Sequence, residues 1–153
     1  MDLILWRHAE AREGLAEGED VARPLTPKGE RQAQRMAHWL NHQLPETARI
    51  LVSPAVRTEQ TAAALKRKYK LMPELLPERS VTELLDIARW PDAKQPVLVV
   101  GHQPTLGLTA GYLLAGLTAG WTVRKGSVWW LRRRERQGRV EVVLHAVISP
   151  EQA

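Results

Sequence analysis

The sequence predicts an α/β domain: a mostly parallel sheet with helices on both faces, extended at the C-terminal end by an antiparallel hairpin. Three observations point there. First, Leu3-Ile4-Leu5-Trp6, Ile50-Leu51-Val52 and Val97-Leu98-Val99-Val100 are short, continuously apolar runs. They lack the alternation of a half-solvated strand and read as strands covered on both faces. Second, stretches with helical spacing and helix start signals lie between these runs, so strand and helix alternate through Leu117. Third, the pattern then changes, and residues 123–131 and 140–148 read as two strands joined by the polar segment 132–139. No repeat, low-complexity tract or linker interrupts the 153 residues, so residues 1–153 are expected to form one three-layer α/β/α domain. A chain of this length can bury roughly two-thirds of its unfolded surface without a metal or crosslink.

The first strand delivers Arg7 and His8 to its carboxyl end. Residues 11–23, rich in Gly, Glu and Ala without a period, are expected to form a loop over that end. Thr26 is then the N-cap of a helix with Pro27 at its first position, where a missing N–H costs nothing. That helix runs to about Gln43, with Ala33, Met36, Ala37 and Leu40 as its apolar stripe. A second buried strand covers 48–52. Ser53 is expected to cap the next helix and Pro54 to open it, which puts Arg57 in or just after the first turn. A guanidinium there opposes the helix dipole by a few tenths to ~1 kcal/mol, and a bound anion would remove the conflict. Residues 71–77 read as a short extended segment broken by Pro73 and Pro77. Ser80-Val81-Thr82-Glu83 has the capping-box form, and Leu84, Leu85, Ile87 and Ala88 give a short helix ending before Pro91. The strand over 96–100 ends in Gly101-His102-Gln103-Pro104, and an apolar helix over 106–117 follows.

Composition narrows the chemistry. With no cysteine, disulfides, thiolate catalysis and cysteine zinc sites are excluded, and the chain suits a reducing compartment. No signal-peptide pattern and no run near the ~20 apolar residues of a membrane span are present, so a cytoplasmic protein without a membrane partner is expected. The balance of 22 Lys and Arg against 17 Asp and Glu, +5, favours anionic partners. The densest cluster, Arg132-Arg133-Arg134-Glu135-Arg136, reads as a solvated hairpin tip. His38, His42 and His145 have no ligand spacing and are expected to be solvent or packing histidines.

Successive strand ends therefore bring Arg7, His8, Arg57 and His102 toward one edge, which is where open α/β sheets bind ligands. Four cationic or potentially cationic groups in one cleft repel unless a dianion neutralises them. A phosphoryl group fits: arginine forks match its oxygens, and an imidazole can attack phosphorus to form a phosphohistidine that water hydrolyses.

Arg7-His8-Ala9-Glu10-Ala11, Pro24-Leu25-Thr26-Pro27-Lys28-Gly29, Ser53-Pro54-Ala55-Val56-Arg57-Thr58-Glu59-Gln60-Thr61 and Val99-Val100-Gly101-His102-Gln103-Pro104 together resemble the histidine phosphatase superfamily. Their wording and the short chain are most similar to its SixA-type phosphohistidine phosphatase branch. The resemblance spans roughly the whole chain and implies a phosphoglycerate mutase-like fold. It implies His8 as the phosphorylated nucleophile, with Arg7, Arg57 and His102 binding the phosphoryl group and Ser53 close to them, and neither metal nor cofactor. Ala9 stands where much of the superfamily has glycine, which narrows the subgroup. Larger relatives use a glutamate to protonate an ester oxygen. The candidates here are Glu78, Glu83 and Asp86, and Glu83 suits the capping box equally well. Without such a donor, ester hydrolysis is expected to be poor, whereas the leaving group of a phosphoramidate can arrive protonated.

The resulting expectation is a metal-independent phosphatase acting on phosphohistidine in a protein, such as a histidine phosphotransfer domain, with no nucleic acid partner. Two alternatives stand beside it: a phosphatase of a small phosphorylated metabolite, and a non-enzymatic anion or nucleic-acid binding module. The intact His8 separates the last from an enzyme, since a binder needs only the arginines.

Overall fold

In a computed structural model describing residues 1–14, 18–117 and 119–153, the three apolar runs lie side by side as parallel strands. They are β1 (Asp2–Arg7), β2 (Arg49–Val52) and, after the two-residue β3 (Lys70–Leu71), β4 (Val97–Gly101). With the hairpin of β5 (Val128–Arg136) and β6 (Arg139–Ile148), the sheet order is β3-β2-β4-β1-β5-β6. The first four strands are parallel, and β5 and β6 add antiparallel.

Strand side chains alternate, so each sheet face collects its own core. Ile4, Trp6, Ile50, Val52, Leu98 and Val100 meet Met36, Ala37 and Leu40 of α1 (Pro27–Gln43) and Ala62 of α2 (Val56–Ala63). Leu3, Leu5, Leu51, Val97 and Val99 meet Leu84 of α3 (Val81–Ile87) and Leu106 and Ala110 of α4 (Thr105–Ala115). These are the three layers expected from the sequence. Each fully buried aliphatic side chain contributes about 1.5–3 kcal/mol.

Local chemistry sets the element ends. Thr26 accepts from the Gly29 N–H at 3.0 Å, with Pro27 opening α1. Ser80 and Glu83 form a reciprocal capping box at α3. Gly116 closes α4 with φ 66°, a left-handed cap.

Three expectations need correction. The segment 71–77 is strand only at its start; Pro73–Leu75 forms a 3-10 turn, because the two prolines lack the N–H a ladder needs. β5 starts at Val128 instead of residue 123, leaving 122–127 as a loop. The basic run is then paired strand, with Arg132, Arg133 and Arg134 opposite Val143, Val142 and Glu141. The turn is only Gln137-Gly138, whose φ values of 53° and 76° match the mirror-image turn that fits strand twist. Residues 132–136 run out to the exposed end of the hairpin, so this stretch is charged on both faces and reads as a loop.

Candidate active site

Register places the site. Arg7 pairs with Gly101 and Val52 with Val100, so His8, Ser53 and His102 leave three adjacent strands at one level. Two backbone bonds hold the ends together: His8 N–H to the Gly101 carbonyl at 3.2 Å and Ser53 N–H to the Val100 carbonyl at 3.1 Å.

Each side chain is fixed from behind. The His8 ring presents Nδ1 to the Ala9 carbonyl at 2.7 Å. A carbonyl can only accept, so Nδ1 carries the proton and Nε2 keeps its lone pair. Ala9 N–H donates to Thr61 Oγ1, which itself donates to the Arg57 carbonyl, tying the β1 end to α2. His102 Nε2 lies 2.7 Å from Ser53 Oγ, and the two rings stand 5.5 Å apart at 55°. Arg7 donates to the Val123 carbonyl at 3.0 Å, and Trp6 Nε1 donates to the Gly126 carbonyl, so the 122–127 loop braces the first strand end.

Ser53 therefore does not cap α2; the helix starts at Val56, without a side-chain cap. Thr58 does related work, donating to the Ser53 and Ala55 carbonyls. Arg57 becomes the second residue of α2 and is 3% exposed.

The electrostatics are those of a crowded cationic pocket. Burial pushes His8 down to about 4, with Arg57 and Arg7 lowering it further against the Ala9 hydrogen bond. Burial likewise takes His102 to about 3, helped by Arg57. Both imidazoles are thus neutral near pH 7. Arg7 and Arg57 are also shifted down, first by burial. Among the described residues, five buried side-chain polar atoms lack a partner, and three of them are Arg7 Nε, Arg57 Nε and His102 Nδ1. Such groups are rare and costly in folded proteins, and three of the five fall in this one cluster.

One participant has no signal in the sequence. Asp20, in a 3-10 turn over Asp20–Ala22, accepts from Arg57 through both its carbonyl (2.6 Å) and Oδ2 (3.0 Å), while Oδ1 accepts from Arg23. It lies in the segment 11–23, whose aperiodicity gave no geometry; of that segment, 15–17 fall outside the described residues. Asp20 thus occupies both terminal nitrogens of Arg57, one with its carbonyl and one with its carboxylate, and an anion binding there has to compete with it. Asp20→Asn is expected to tighten tungstate or inorganic phosphate binding about tenfold by calorimetry, the scale of a charge-assisted hydrogen bond. Weaker binding would instead make Asp20 the residue that holds Arg57 in place.

Glu83 accepts from Ser80 N–H and pairs with Arg79, which holds its carboxyl down at about 2. A group that stays ionised is a poor proton donor at neutral pH, so the structure weighs against Glu83 in that role. Glu78 is exposed in a turn with φ 68°. His38 and His42 are exposed, with their rings 4.6 Å apart and tilted by 59°, and His145 stands edge-on to Trp130.

Fold and site together define an α/β protein with two guanidiniums and two imidazoles clustered at the carboxyl edge of its sheet. The chain belongs to the histidine phosphatase superfamily, and within it to the SixA type. The model of branch 1 of that superfamily matches residues 3–81. The phosphohistidine phosphatase SixA of Escherichia coli K12 is 34% identical over 130 residues, spanning 80% of this chain and 77% of that one. A solved structure of the protein histidine phosphatase SixA complexed with tungstate superposes with a TM-score of 0.76 at 28% identity, covering 98% and 97% of the two chains. A candidate SixA from Nakamurella multipartita gives 0.80 at 28% identity over 97% and 95%. Membership of this family makes the protein a phosphatase.

Proposed function

We propose that the protein hydrolyses phosphohistidine in a partner protein through a phosphorylated His8. The observation that carries this reading is the ring of unpartnered buried groups, Arg7 Nε, Arg57 Nε and His102 Nδ1, around an imidazole whose Nε2 is free to attack. The tungstate complex of a SixA protein supports it, since tungstate is a tetrahedral oxyanion like phosphate.

In this reading His8 Nε2 forms a bond to phosphorus as the P–N bond of the substrate breaks, and the released imidazole keeps the electron pair and a proton on its other nitrogen. Water then attacks the phosphoenzyme, releasing inorganic phosphate and restoring His8. Arg7 and Arg57 hold the phosphoryl oxygens through the transition state and supply the positive charge that metal ions supply in other phosphoryl-transfer sites. In this reading the Ser53 hydroxyl, 2.7 Å away, donates to His102 Nε2, so that Nδ1 carries the proton and donates to a phosphoryl oxygen. With Glu83 held in the capping box and the Arg79 pair, a phosphoramidate suits the site better than an ester needing a strong general acid.

The test is trapping. The protein is mixed with a phosphohistidine peptide, quenched in alkali where phosphohistidine survives, and digested for mass spectrometry. Phosphate on His8 that appears and decays within the turnover time is the expected result. Phosphate on another residue, or on none during turnover, would overturn the mechanism.

A further inference from the structure

Arg7 also lines a cavity of about 300 Å³ whose walls include none of His8, Arg57 and His102. Its walls come from β1, the first turn of α1 and the 122–127 loop, and include Arg7, Lys28, Arg124, Lys125 and Ser127. Two carboxylates share the wall. Glu10 accepts from the Thr26 hydroxyl at 2.7 Å, and Glu151 lies beside Arg124 and Lys28. The cations outnumber them, so the cavity is net positive.

Ser127 adds an independent observation. It lines this cavity, is 2% exposed, and its hydroxyl has no partner among the described residues, while its backbone is pinned by its carbonyl accepting from Arg7 N–H and its N–H donating to the Arg124 carbonyl. A buried hydroxyl in that state wants a hydrogen-bonding ligand. Arg7 belongs both to the cationic cluster and to the wall of this cavity, and its Nε is likewise without a partner among the described residues.

We propose that this cavity is a carboxylate subsite, filled by an acidic side chain of the protein that carries the phosphohistidine, with Lys28, Arg124, Lys125 and the Ser127 hydroxyl as its donors. The proposal rests on the phosphohistidine reading above and adds what that reading lacks, a basis for choosing among phosphohistidine proteins. Rim cations of this kind set partner choice more than raw affinity.

Two measurements test it. In the first, calorimetry compares a series of ω-carboxyalkylphosphonates of increasing chain length with the matching alkylphosphonates. One chain length is expected to bind about tenfold tighter than its uncharged counterpart, the scale of one or two charge-assisted hydrogen bonds, with the advantage lost in Arg124→Gln/Lys125→Gln. Absence of any preference, or a preference that survives the substitutions, would overturn the subsite. In the second, phosphohistidine peptides with glutamate or glutamine beside the phosphorylated residue are compared for KM. A preference for glutamate that collapses in the double variant assigns the carboxylate to a protein substrate. A preference among phosphonates but not peptides would place it on a small phosphorylated acid and overturn that assignment. If no peptide is hydrolysed, the phosphohistidine reading and the protein source fall together, while the phosphonate result still decides whether the cavity takes a carboxylate.

Discussion

Replacing Arg57 with alanine is expected to lower kcat/KM on a phosphohistidine peptide by about a thousandfold, roughly 4 kcal/mol of transition-state stabilisation. The guanidinium is 3% exposed, beside Arg7 and the two imidazoles, where a charge acts with little screening. Folding should suffer far less. Among the described residues Arg57's side chain bonds only Asp20, which is more than half exposed, and its removal relieves repulsion with Arg7. The thermal midpoint is therefore expected to stay within about 4 °C of wild type, the shift from ~1 kcal/mol in a chain of this size. Arg57→Lys restores the charge but not the planar fork, and should recover only part of the rate. Steady-state kinetics with a melting curve on each variant checks both halves. A loss below about tenfold, smaller than that of a single oxyanion donor, would remove Arg57 from the phosphoryl clamp.

How much of this could be read from the sequence depended on whether a residue's place is set by its neighbours in the chain. The bounds of α1, its cap at Thr26 and its stripe of Ala33, Met36, Ala37 and Leu40 are local consequences of capping chemistry and helical period, and all match the structure. The meeting of Arg7, His8, Arg57 and His102 was legible because parallel strands in an α/β sheet share one carboxyl edge. Ser53 was assigned to the right place with the wrong work: its sequence context favours a cap, yet its hydroxyl goes to His102, 49 residues away. Asp20 reaches Arg57 across 37 residues from an aperiodic segment, and nothing local distinguishes it from Glu13 or Glu19. The 122–127 loop was misread as strand because Val123 is apolar, whereas Val123 is buried against the face below α4 and lends its carbonyl to Arg7.

Gly29→Ala is expected to cost about 3 kcal/mol, which would lower the thermal midpoint by about 10 °C. Helix propensity alone argues the opposite, since alanine is favoured over glycine inside a helix by about 0.5–1 kcal/mol. The steric term decides the sign. A Cβ on Gly29 would lie 2.0 Å from the Glu10 carbonyl oxygen and 2.9 Å from its carbon, and neither atom belongs to a side chain that could swing away. That same carbonyl accepts from Thr26 N–H, and the Glu10 N–H is taken by Gln32, so the start of α1 and the segment after His8 are clamped together where the methyl must go. The helix has to move off, loosening Ala9, whose carbonyl holds the proton on His8 Nδ1. The substitution should therefore lower kcat well below the wild-type value even at temperatures where the variant is fully folded. A variant that melts within about 2 °C of wild type, less than the shift from 1 kcal/mol, would show that α1 approaches the His8 segment less closely than the structure has it.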